Sequence, residues 1–107
     1  MFELRHFTTA NGKDIFGQWL KDMRDTRAQA AILARLERLE SGTLGDVKPV
    51  RSGVHELRID VGAGYRLYFA QRGRMILLLL CGGDKSTQDR NITQALKYLK
   101  EFDQRNS

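Results

Sequence analysis

Residues 54–85, VHELRIDVGAGYRLYFAQRGRMILLLLCGGDK, alternate apolar and polar side chains through two short breaks and close on an apolar run. A period of two over such lengths belongs to β-strands, and breaks of three or four residues join strands as hairpins. In residues 54–61, Leu57, Ile59 and Val61 point one way and Glu56, Arg58 and Asp60 the other. Gly62-Ala63-Gly64 supplies the permissive backbone of a turn. Alternation resumes over 65–70, with Tyr65, Leu67 and Phe69 on one face and Arg66, Tyr68 and Ala70 on the other. Gln71-Arg72-Gly73-Arg74 is the next turn. The run from Met75 to Cys81 is apolar on both faces, as a central strand requires.

A first turn centred on Gly62 pairs Arg58 with Arg66, Leu57 with Leu67 and Glu56 with Tyr68. A one-residue slip would turn every apolar side chain outward, so this register is the expected one. It sets two arginines opposite each other, which destabilises a sheet unless an anion compensates. The second hairpin is expected to bring Arg66 near Leu79 and the Gly82–Lys85 turn beside Gly62–Gly64. Lys85 then approaches the arginines on an open sheet face that also carries Tyr68. Arginine suits phosphate because its planar fork binds two oxygens at once. Tyrosine can stack a base or donate to a phosphate. The plainer reading is that Arg58 pairs with Glu56 or Asp60 at the surface, contributing ~0–1 kcal/mol. The spacing leaves both readings open.

The remaining elements follow from periodicity. Residues 2–7 alternate and predict a first strand. Asn11 is a candidate cap for a helix running to about Arg24, with Ile15, Phe16, Trp19, Leu20 and Met23 on one face. Asp25 or Thr26 caps a second helix whose inward residues are Ala28, Ala31, Ile32, Leu36 and Leu39, and Gly42 stops it. The short connection makes the two helices antiparallel neighbours. Thr43–Gly53, which holds the only proline, reads as a loop back to the sheet and carries Lys48 and Arg51. Ser86 opens a last helix with Ile92, Ala95, Leu96, Leu99 and Phe102 inward and Asp89 in its first turn. The order β-α-α-β-β-β-α, with an antiparallel sheet between early and late helices, predicts an α+β domain over residues 1–107.

The chain has 18 Lys+Arg against 13 Asp+Glu, a formal charge of +5, which favours a polyanion partner. The single cysteine, Cys81, forms no internal disulfide, suits a reducing cytoplasm, and reads as a buried thiol. Arg5, Lys13 and Asp14 interrupt any secretory h-region, and no apolar run is long enough to span a bilayer. No His/Cys/Asp/Glu group has metal-ligand spacing. His6 and His55 fall on core-side parity and read as structural, and Trp19 reads as core.

Glu56-Leu57-Arg58, then Gly64-Tyr65-Arg66-Leu67-Tyr68-Phe69, then Leu79-Leu80-Cys81-Gly82-Gly83-Asp84-Lys85-Ser86-Thr87-Gln88 together resemble the RelE/ParE toxin superfamily. The second and third strings are specific for its HigB-like "addiction module killer protein" branch. The resemblance covers essentially the whole chain. It implies a cytoplasmic toxin of a type II toxin–antitoxin pair, without cofactor, that cuts mRNA in the ribosomal A site. In that reaction a ribose 2′-hydroxyl attacks the adjacent phosphate. Arg66 takes the place of the family's central arginine, and Arg58 and Lys85 those of basic residues on the preceding strand and in the turn after the last strand. These three are the expected catalytic residues: Arg66 on the transition-state charge, Arg58 orienting the phosphate, Lys85 neutralising charge or transferring a proton. Tyr65, Tyr68, Lys48 and Arg51 are the expected RNA contacts. The implied partners are the ribosome, mRNA and an antitoxin with a DNA-binding helix-turn-helix. Some RelE-type toxins carry a tyrosine in the last helix, where this chain reads Asn91-Ile92-Thr93 and the nearest tyrosine is Tyr98. The general base is therefore open among Tyr65, Tyr68, Lys85 and His55. ParE-type relatives share the fold but poison DNA gyrase, and an inactive, toxin-derived binding protein is a third possibility.

Overall fold

The computed structural model describes residues 1–107. The elements are β1 (Glu3–His6), α1 (Ile15–Lys21), α2 (Thr26–Glu40), β2 (Val47–Arg51), β3 (Val54–Ile59), β4 (Tyr65–Arg72), β5 (Ile76–Asp84) and α3 (Gln88–Arg105), with a single 3₁₀ turn, Lys85–Thr87, ahead of α3. They form one five-stranded sheet in the order β1-β5-β4-β3-β2. The α+β class is as expected, but the sheet is mixed: β1 runs parallel to β5, and the other pairings are antiparallel.

The helices are local consequences of their caps. Asp14, rather than Asn11, begins α1, its carboxylate accepting from the Gly17 N–H at 3.0 Å. Asp25 does the same for α2 through the Ala28 N–H at 3.0 Å. Each satisfies one of the amides that a helix start leaves unpaired. Ala28, Ile32, Leu36 and Leu39 are buried at helical spacing, as the sequence requires.

Residues 47–51 form a strand where a loop was expected. Pro49 reads as a breaker, but proline is tolerated on an edge strand, where its missing N–H faces away from the ladder. β2 is such an edge, and its register with β3 shifts between Pro49 and Arg51.

The sheet is covered on both faces. Phe16 of α1 and Ile32, Leu36 and Leu39 of α2 pack on Leu57, Ile59, Leu67, Phe69, Leu77 and Leu79. Ile92, Ala95 and Leu99 of α3 pack on Val54, Tyr68, Ala70, Leu78 and Leu80. The face expected to be open therefore lies largely under α3. The apolar stripe of α3 needs a surface, and the two-sided apolar run of β5 offers one.

The β3–β4 register is the expected one: Arg58 faces Arg66, Leu57 faces Leu67 and Glu56 faces Tyr68. The β4–β5 register differs. Arg66 lies opposite Gly83, and Leu79 lies opposite Phe69. β5 is longer than its apolar run and continues through Gly82-Gly83 to Asp84. Those glycines are bare because both faces are occupied above them. A Cβ on Gly82 would sit 2.5 Å from the Trp19 ring, and one on Gly83 would sit 2.0 Å from Asn91 Oδ1. Gly82→Ala is expected to destabilise the fold by about 1–3 kcal/mol through overpacking against the indole, which chemical denaturation would measure.

Candidate functional site

The site begins with a residue that the sequence offered only as a surface partner for Arg58. Glu56 is fully buried, at 0% exposure, in the middle of β3. Burying a carboxylate is costly unless it is paired and hydrogen-bonded. Glu56 meets that need from three elements. Its Oε2 accepts from the Tyr68 hydroxyl of β4 at 3.0 Å and from Gln88 Nε2 at the start of α3 at 2.6 Å. Its Oε1 accepts from Arg58 Nε at 3.3 Å and lies 3.9 Å from Arg66 Nε. The signal was present in the sequence: Glu56 shares a face with Arg58 and registers with Tyr68.

The arginine pair thus has a partial counter-charge, and the plainer reading of an Arg58–Glu56 contact is realised, though at a buried acid. Glu56 does not use up both guanidinium groups. At 3.9 Å, Arg66 Nε is beyond hydrogen-bond range of the carboxylate. That nitrogen is enclosed and has no hydrogen-bond partner. Arg66 Nη1 donates to the Tyr65 carbonyl at 3.0 Å and lies 3.5 Å from the exposed Asp60 carboxylate. The side chain of Arg66 is 12% exposed and that of Arg58 32%. Gly83, opposite Arg66, adds no side chain on the neighbouring strand. Two cations, one incompletely paired, therefore sit at the edge of the interface between sheet and α3, and they have donors to offer an oxyanion.

Lys85 lies beside the turn that joins β3 to β4, as expected. Its N–H donates to the Gly64 carbonyl at 3.0 Å, and its aliphatic stem lies across Gly64, whose φ is +81°. The rest of its segment has structural work. Asp84 accepts from the Ser86 hydroxyl and, at 2.8 Å, from the Ser86 N–H, and these contacts hold its carboxyl below the usual carboxylate range. Thr87 donates to Asn91 Oδ1 at 2.6 Å, and Gln88 holds Glu56. The Lys85 ammonium is exposed and belongs to no ion pair.

Other expected site residues are placed differently. Tyr68 is fully buried, so it cannot stack a base while α3 is seated. Burial and the adjacent Glu56 push its hydroxyl far above the ordinary tyrosine value, which makes it a donor rather than a base. Tyr65 belongs to the opposite face, with its ring centroid 6.3 Å from that of Trp19. Burial and Asp25 raise its pKa as well. His55 also points to that face and stacks on Phe69 at 5.5 Å, away from the arginines. Lys48 and Arg51 are exposed on β2, and Lys48 registers with Glu56, which places it on the arginine side of the sheet. Cys81 is buried, and its thiol is pushed up to about 12 by desolvation. His6 pairs with Asp14 at 2.9 Å near the opposite sheet edge.

Fold and site together define a small basic α+β domain with a facing arginine pair braced on a buried acid. The chain belongs to the Gp49-like family of phage-derived proteins: the family model described as "Phage derived protein Gp49-like (DUF891)" matches residues 18–103, from within α1 almost to the end of α3. That stretch contains Glu56, Arg58, Arg66, Lys85 and Gln88. The family is of the addiction-module killer type and is associated with toxin–antitoxin modules, which suggests an antitoxin as partner. A relative from Haemophilus influenzae, described as an uncharacterized protein, is 51% identical over 87 residues, covering 81% of this chain and 88% of its own length. No helix of the chain is long and apolar enough to cross a membrane.

Proposed function

We propose that this protein is the toxin of a type II toxin–antitoxin module and acts in the cytoplasm as a ribosome-dependent mRNA endonuclease. The observation that carries this reading is Arg66: a guanidinium 12% exposed, facing a second arginine, whose charge Glu56 meets only at 3.9 Å. Its donors are fixed before any ligand arrives, which suits stabilisation of charge that develops on a phosphate. Arg58 orients that phosphate. Lys85, its ammonium outside every ion pair, neutralises charge or moves a proton. Lys48 and Arg51 hold the RNA backbone along β2. The likeness of the 64–69 and 79–88 strings to HigB-like members of the RelE/ParE superfamily supports the same activity. The antitoxin, carrying a DNA-binding helix-turn-helix, binds across the basic edge.

The ribosome supplies what the site lacks. The arginine pair lies at the rim of a covered face, and no histidine stands beside it. A reacting 2′-hydroxyl must be held in line with its phosphate, and orientation supplies about 7–11 kcal/mol of such barriers. The test is to incubate purified protein with an mRNA, with and without programmed ribosomes. Cleavage is expected only with ribosomes. Equal cleavage of naked RNA would remove the ribosome dependence, and gyrase inhibition without RNA cleavage would replace this reading with the ParE-type one.

Lys85→Ala is expected to lower cleavage by about 10²-fold or more if the ammonium transfers a proton. Ribosome binding should fall far less. Lys85→Arg restores charge, yet arginine stays protonated. Full activity in Lys85→Arg would leave Lys85 a purely electrostatic role.

A further inference from the structure

We infer that Gln88 and Tyr68 are positioning residues that hold Glu56 off Arg66 and so keep the arginine pair open to a phosphate. The inference rests on reading that pair as a phosphate site. A carboxylate beside two arginines has a strong alternative to the geometry seen here. By turning both oxygens to one guanidinium it would form a two-point, charge-assisted pair, the tightest arrangement open to these groups. A guanidinium bound in that way has little left for substrate.

The structure shows Glu56 kept from this. Both donors that reach Oε2, the Tyr68 hydroxyl at 3.0 Å and Gln88 Nε2 at 2.6 Å, draw that oxygen away from the arginines. Only Oε1 faces them, at 3.3 Å from Arg58 Nε and 3.9 Å from Arg66 Nε. Glu56 thus lowers the repulsion between the arginines without closing the site.

The segment before α3 fixes the hold. Gly83 admits Asn91 and Thr87 over the sheet, and Asp84 caps the turn through the Ser86 N–H. Together they set Gln88, the first residue of α3, above Glu56. Gln88 touches neither arginine in the hydrogen-bond pattern, so it acts through Glu56.

The experiment uses Gln88→Leu and Tyr68→Phe, each alone and combined with Glu56→Gln. Tyr68→Phe keeps its ring in the core, so it carries the test if Gln88→Leu unfolds. The probe is a short single-stranded RNA with 2′-O-methyl riboses, which can be bound but not cut. Binding is followed by the Arg58 and Arg66 Nε–H signals and by affinity. Each single variant is expected to weaken binding by about tenfold, as Glu56 swings onto Arg66. Adding Glu56→Gln should restore most of the loss, because a neutral amide cannot make the charged two-point pair. A merely structural role predicts the reverse, with further loss in the double variants, and that outcome overturns the proposal. Wild-type binding left intact by both single variants removes the positioning role alone. Failure of the wild type to bind the probe removes the phosphate site itself.

Discussion

Arg66→Ala is expected to lower ribosome-dependent cleavage by about 10²–10³-fold, the loss typical of removing one fixed donor to a developing oxyanion. The same change should cost less stability than removing Glu56, since losing the Tyr65 and Asp60 contacts is offset by relief of the repulsion from Arg58. Arg66 contacts Glu56 at 3.9 Å, outside hydrogen-bond range, and Arg58, Tyr68 and Gln88 continue to satisfy the acid. Measuring cleavage and thermal unfolding on one preparation separates the two effects. A large drop in both would make Arg66 a brace for Glu56 rather than a phosphate ligand. Arg66→Lys should recover little activity, since an ammonium keeps the charge but not the planar fork.

Glu56→Ala is expected to do the opposite, with its largest effect on stability. The change removes the only acid that contacts both arginines. It leaves the buried Tyr68 hydroxyl without its acceptor and opens a cavity between β3 and α3. Breaking a buried charge cluster from one side costs about 3–5 kcal/mol. For a domain near this size the fall in Tm is on the order of 10–20 °C, a large share of a typical total stability. Differential scanning calorimetry reads it directly. A midpoint within a degree or two of wild type would show that the arginines are compensated by solvent and that Glu56 has little structural weight.

These neighbouring residues with divergent expected roles show what a sequence can and cannot reveal here. The facing of Arg58 and Arg66 was legible because it depends only on a glycine turn and a period of two. So were the inward faces of α2 and α3, which depend only on helical spacing. The covering of the arginine face was harder to read. α3 lies beyond the hairpins in sequence, and its stripe shows that it needs a surface without showing which one. The chemistry of Glu56 was hidden for the same reason. Its parity and its pairing with Tyr68 were visible, but its burial depends on Gln88, 32 residues away, being placed above it. β2 was missed because Pro49 signals a break, and only the edge position of residues 47–51 makes a strand tolerable. The β4–β5 register was misplaced because Gly82 and Gly83 read as a turn, whereas their small size lets Trp19 and Asn91 close on the end of the strand.

The parallel pairing of β1 with β5 has a consequence for how the protein is born. Glu3–His6 are made before their partners, Ile76–Leu79, so β1 has nowhere to dock until α1 through β4 have been made. Such distant pairings slow folding, because the intervening chain must be closed before the contacts repay it. Gln88, which steadies the arginine pair, emerges later still. A nascent chain therefore carries its arginines without the brace that arranges them until Gln88 has been made. The two arginines and the contacts that arrange them come together only once α3 has been made.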